Sequence, residues 1–231
     1  MKVTYRVMLF AIVFATIGCA GSPRTSENTV HITIDEYGER LMHYFENKND
    51  AIIYETISIY KNADYAGMLE QIDGIIFFFF YGIKMDDSVR YNNFRGIIAN
   101  SKIERLINVF NVIDVTDIAA LLLAEDASPD LNDVYWTLYV SSGDVQYIDY
   151  LLTIIMDHHN ETRNINYYLA ARSAMWSLSS NMQTFPSVRE YVQNNTILSN
   201  DIKRYLMYND HNTIQADTVQ FITEQRQRGV W

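Results

Sequence analysis

Chemistry in this chain would have to come from its histidines, its carboxylates or its one cysteine, so these residues are placed first. His158 and His159 are adjacent. Neighbours on a helix point about 100° apart, whereas a metal-binding pair needs i and i+4 on one face. Further ligands would have to come from His31, His43 or His211, all distant in sequence. The simpler expectation is a helix end, where imidazole meets the negative pole of the backbone dipole. Glu125, Asp126, Asp130 and Asp133 gather oxygens that suit calcium, but without the alternating spacing and central glycine of an EF-hand loop. Carboxylates at a helix start explain them. Asp86-Asp87 similarly reads as a turn and a cap. No G-x-S-x-G, H-E-x-x-H, P-loop or dinucleotide fingerprint occurs. The sequence thus predicts no catalytic residue, no metal ligand and no cofactor. A serine, a histidine and an acid brought together only in space lie beyond its reach.

Cys19 is different, because of what precedes it. Lys2 and Arg6 form a short positive segment, and Val7 to Gly18 follows as twelve mostly apolar residues. A stable membrane span needs about 20 such residues, so a secretory signal is the expected reading. The run Thr16-Ile17-Gly18-Cys19 resembles the lipobox of bacterial lipoproteins, in which the cysteine is lipidated and becomes the new N-terminus. It departs from that pattern at Thr16, where leucine is usual. The resemblance implies a lipid on Cys19 and, because Ala20 is not aspartate, an outer-membrane destination facing the periplasm. Residues 1–19 are then a signal peptide and 20–31 a polar tether containing Pro23.

The chain of 231 residues carries 18 basic and 28 acidic residues, a net charge of −10. No basic stripe exists to displace counterions from phosphates, which argues against nucleic acid as a partner. The same balance opposes adsorption to anionic lipid, so attachment would rest on the acyl chains. With no second cysteine, stability must come from packing.

Residues 32–231 read as one α-helical-repeat domain. Thr33 or Asp35 opens a helix with Leu41, Tyr44 and Phe45 inward, and Asp50 is a suitable N-cap for a second through Ile53, Ile57 and Tyr60. Ile75 to Tyr81 has strand-like bulk, but Leu69, Ile72, Ile76, Phe79 and Ile83 continue a helical step, which predicts a buried helix. Short helices are expected at 89–100, 103–113 and 116–125. Ser128 and Pro129 then start the stretch that organises the chain: an aromatic helix with Trp136, a Ser141-Ser142-Gly143-Asp144 turn, a second helix through Ile148 and Leu152, and an alanine-rich helix with Trp176. Pro186, Asn200 or Asp201, and Asp217 open the last three helices. Trp136 and Trp176 are expected in the core.

An aromatic pair before a polar turn recurs at Tyr44-Phe45, Phe79-Phe80, Trp136-Tyr139 and Trp176-Leu178, at irregular spacing. The fold expected is all-α, as stacked hairpins of a TPR/HEAT-like solenoid or as an irregular helical bundle. Tyr135-Trp136, Ser142-Gly143-Asp144, Ala170-Ala171 and Trp176-Ser177-Leu178 are similar to a family of poorly characterised bacterial envelope proteins with TPR-like repeats. That resemblance covers roughly residues 130–195 and implies a fold, with no catalytic site.

The function expected is a membrane-anchored periplasmic lipoprotein that binds another protein. Exposed members of its 17 tyrosines would make contact residues, because they add area at low entropic cost. Two alternatives stand beside it: a hydrolase with paired carboxylates in a helical groove, and an immunity-type lipoprotein whose acidic surface meets a basic toxin.

Overall fold

A computed structural model describes residues 32–231, and among them it contains α-helices, one 3₁₀ segment and no strand. The fold is all-α. Packing divides the described chain into two compact units, one of residues 32–118 with Thr137–Asp144, the other of Ala119–Trp136 with Val145–Trp231.

The first unit begins with α1 (Ile34–Met42). Thr33 caps it: its hydroxyl accepts from Glu36 N at 3.2 Å, and Glu36 Oε2 accepts from Thr33 N at 2.9 Å. This reciprocal capping box satisfies two otherwise orphaned donors. A single turn, α2 (Tyr44–Asn47), follows and ends at Lys48 in the left-handed region. The next helix, α3 (Ile52–Lys61), starts after Ala51 with no side-chain cap. Asp50 therefore does not cap it; its carboxylate pairs with Arg90 Nε at 2.9 Å. A charge partner distant in sequence takes the carboxylate in place of the local bond that the sequence suggested.

After the 3₁₀ segment Ala63–Met68 comes α4 (Leu69–Asp86), the centre of this unit. The run that looked strand-like is helical. Phe77 through Ile83 are all buried, which covers the whole circumference of the helix and explains why no single apolar stripe marks it. Its partners are α5 (Ser88–Ser101), α6 (Glu104–Val115) and the 3₁₀ segment. Phe80 meets Phe94 edge-on and Phe110 at 4.9 Å between centroids, and Phe79 meets Tyr44 edge-on at 5.1 Å. Residues 63–86 are long and apolar enough to cross a bilayer, but half of the most apolar stretch is buried in protein contacts. Lys84 closes the far end, donating to the Ile113 carbonyl at 2.9 Å, where a cation suits a helix C-terminus.

In the second unit, α7 (Ile118–Ala124) leads to α8 (Pro129–Ser142). Ser128 Oγ accepts from Leu131 N at 3.1 Å, so Ser128 and Pro129 start the helix as expected. The N-terminal half of α8 belongs to this unit and its C-terminal half to the first. Gly143, at φ +80°, makes the turn into α9 (Gln146–His158). The hub is α10 (Ile165–Thr184), packed on α9, α11 (Pro186–Asn194), α12 (Asn200–Tyr208) and α13 (His211–Gln227). Ala170, Ala171 and Ala174 have no exposed surface, so neighbours approach the backbone closely: Asn132 Nδ2 donates to the Ala170 carbonyl at 2.8 Å. Trp136 Nε1 donates to Ser177 Oγ at 2.8 Å. Trp176 is only half-buried, edge-on to His211 at the start of α13. The last helix starts at His211, capped by Asp210, six residues before Asp217.

Candidate functional site

Cys19, the one residue to which the sequence assigns a covalent role, lies outside the described residues. The other candidates can be placed. His158 is the last residue of α9 and stacks on Tyr167 at 4.7 Å between centroids; His159 is its C-cap, with Nδ1 3.0 Å from the Ile155 carbonyl. They form a helix end. Asp87 caps α5 through Arg90 N at 2.9 Å, while Asp86 pairs with Lys48 at 2.6 Å. Among the described residues, no three histidines, cysteines or carboxylates converge as metal ligands.

The acidic group at the start of α8 comes apart. Glu125 and Asp126 are exposed, and Asp126 accepts from the Tyr167 hydroxyl at 3.3 Å. Asp133 lies one turn into α8, among Leu131, Asn132 and Val134, all buried. Burial, with the Asp130 charge adding to it, pushes its carboxyl up to about 7. Burial likewise raises Asp130.

The tyrosines divide as their two-faced chemistry suggests. Buried rings carry hydroxyls that reach polar partners: Tyr37 pairs with Thr56 at 2.7 Å, Tyr60 donates to Asp73 at 2.6 Å, and Tyr91 donates to Asp114 at 2.9 Å. Tyr54 and Tyr208 are exposed.

Two concavities among the described residues are lined in part by polar side chains. In the first unit, α1, α2 and the loop before α3 enclose a cleft of about 730 Å³, with Tyr44, Ile52 and the buried Glu55 among its lining. Its cations are matched internally. Arg40 pairs with Glu55, and Lys48 with Asp86. Burial pushes the Tyr44 phenol up to about 12, and the nearby Arg90 guanidinium works the other way. These charges tie helices together, and a ligand would have to displace those bonds to use them.

The second concavity, in the second unit, is a crevice of about 210 Å³ where the end of α10 meets α11, α12 and the start of α13. Met182 and Leu206, 4% and 2% exposed, form an apolar floor. Ser179 Oγ, at one side, donates to the Asn209 carbonyl at 3.0 Å. Asp210, at another, accepts from Thr213 N at 2.8 Å, and that bond holds its carboxyl below the usual range. Arg189 lines the crevice with no ion pair among the described residues. Tyr208 also borders the crevice, 84% exposed and about 200° round α12 from Leu206.

Sequence reasoning did not single out Arg189, Met207 or Tyr208. The periodic reading of α12 named Ile202, Tyr205 and Leu206, which face inward. Tyr208 is six residues after Ile202, about 240° further round the helix, and so falls on the opposite side. An aromatic off the stripe was the available signal.

Comparison with protein-family models, with curated proteins and with solved structures returns no match to this chain.

Proposed function

We propose that this chain is a protein-binding module, held at a bacterial membrane by a lipid on Cys19 and facing the periplasm. The carrying observation is Tyr208, a large aromatic left 84% exposed on the outer side of α12. Tyrosine and arginine beside a small apolar depression are the residue types that dominate binding energy at interfaces. The lipobox-like run ending at Cys19 supports the envelope location. The net charge of −10 leaves acylation as the means of attachment.

A photo-crosslinking amino acid placed at position 208 in the native envelope tests this reading. One or a few defined protein adducts are expected, absent when the probe sits at Asn100 on α5. Labelling at position 208 no different from that at Asn100 would overturn it.

A further inference from the structure

The larger cleft, in the first unit, is lined by a buried polar group that the fold leaves unanswered. Tyr44 is 3% exposed, yet no hydrogen bond of ordinary geometry reaches its hydroxyl among the described residues. Other buried tyrosines of this unit, Tyr37, Tyr60 and Tyr91, each find a partner. The charges near Tyr44 are spent on one another. Arg90 comes close enough to act on the phenol, but its Nε pairs with Asp50, and Lys48 is held by Asp86. Buried hydroxyls without a partner are rare, and this one calls for an atom that the chain does not supply. The phenol stays protonated up to about pH 12, so it has a proton to donate.

The rest of the lining says what kind of molecule would bring that atom. Of the charged side chains around the cleft, only the exposed Glu39 has no ion pair among the described residues. An anion would have to break an existing pair to gain a cation here. A cation could gain only Glu39, at the surface, where an ion pair is worth little. What stays available is neutral or surplus: the exposed Asn47 amide, Asn49 Nδ2, and the N–H groups of the half-exposed Arg40 beyond those bound to Glu55. Donors and acceptors with no demand for charge suit hydroxyl groups. The cleft, at about 730 Å³, falls within the roughly 300–1,000 Å³ of small-molecule sites.

We infer that this cleft binds a small neutral polyhydroxyl compound, the size of a mono- or disaccharide. One of its oxygens accepts from Tyr44 Oη, and others bond to Asn47, Asn49 and Arg40. The site lies in the unit that does not hold Tyr208, and it stands independently of the protein-binding reading.

The test is saturation-transfer NMR on the full chain with glucose, N-acetylglucosamine, maltose and trehalose, with spermidine and inorganic phosphate as charged competitors. At least one sugar should show saturable transfer that neither competitor reduces. Tyr44→Phe keeps the ring against Phe79 and removes only the hydroxyl. It should weaken the bound sugar about tenfold, the loss of one hydrogen bond. Its melting temperature should equal or exceed that of the wild type, because the deleted hydroxyl has no partner in the protein. Asn47→Ala, on the surface, should weaken binding several-fold without changing the melt. Transfer to none of the sugars, displacement by spermidine or phosphate, or an affinity untouched by Tyr44→Phe would each overturn the inference. A lower melting temperature for Tyr44→Phe would show the hydroxyl already bonded within the chain and remove the premise.

Discussion

Asp133 is a side chain whose environment departs well from what its type prefers. A carboxylate one turn into α8, partly buried and near Asp130, is held up to about 7. The unfolded chain would bind that proton only below about 4. Through this group the native state binds more protons between these values, so the stability that Asp133 contributes is full below about 4 and is lost as pH rises through about 7. Asp133→Asn mimics the protonated form. The variant should melt higher than wild type at pH 8, by an amount on the order of a few kcal/mol, and the two should converge near pH 4. Thermal melts across that range check this, and a gap that widens on acidification would contradict it. Thr33 makes a smaller and opposite case. Its capping box lies at an exposed helix start, and Thr33→Ala should lower stability by about 1 kcal/mol in urea titrations.

At the scale of elements, α4 and α10 hold their units by different means. The first is ringed with aromatics but admits α8 through Gly82. A Cβ there would overlap the Ser141 hydroxyl and lie 3.3 Å from the Leu138 carbonyl, both in the C-terminal half of α8. Gly82→Ala should destabilise by roughly 1–3 kcal/mol, despite the better helix propensity of alanine. Gly74, on the same helix, has nothing within 4 Å of its would-be Cβ. Gly74→Ala should therefore stabilise by about 0.5–1 kcal/mol. A shared sign of the two shifts in urea midpoint would refute the contrast. In α10, alanines admit the neighbours, and Arg172 then ties three helices by donating to Thr218 Oγ1 at 2.8 Å, Tyr205 Oη at 3.1 Å and the Ile214 carbonyl at 2.9 Å. Trp136→Ala should cost about 3–5 kcal/mol, since it empties a buried site and removes the hydrogen bond to Ser177. Trp176→Ala should cost clearly less, because half-buried Trp176 leaves a smaller void.

The whole molecule is acidic, and that sets how it could stay at a membrane. With a net charge of −10, the chain has no electrostatic attraction to anionic lipid. On the proposed lipidation, Cys19→Ser should abolish palmitate labelling and move the protein wholly into the soluble fraction, even at low salt. Membrane retention by the serine variant would disprove the anchor. At this scale the larger cleft and the smaller crevice also separate: the former is laced by ion pairs between helices, whereas the latter keeps Arg189 and Tyr208 available.

Local rules in the sequence determined much of the helix order. The capping residues Thr33, Ser128 and Pro129, the turn at Gly143 and the steps through Ile72, Ile76 and Phe79 act over a few residues, so they are readable without a fold. His158 and His159 at a helix end follow from the same short-range geometry. Asp50 is misread because Arg90, 40 positions away, offers its carboxylate a better partner than the adjacent helix start. The early start of α13 depends on the Asp210 cap, which the sequence reading passes over in favour of Asp217. Only tertiary packing decided that Trp136 is buried and Trp176 only partly so, that α8 divides between two compact units, and that Arg189 and Tyr208 border one crevice. The reason is common to all three. Each depends on which helices lie side by side, and the partners come from segments whose sequences carry no mark of one another.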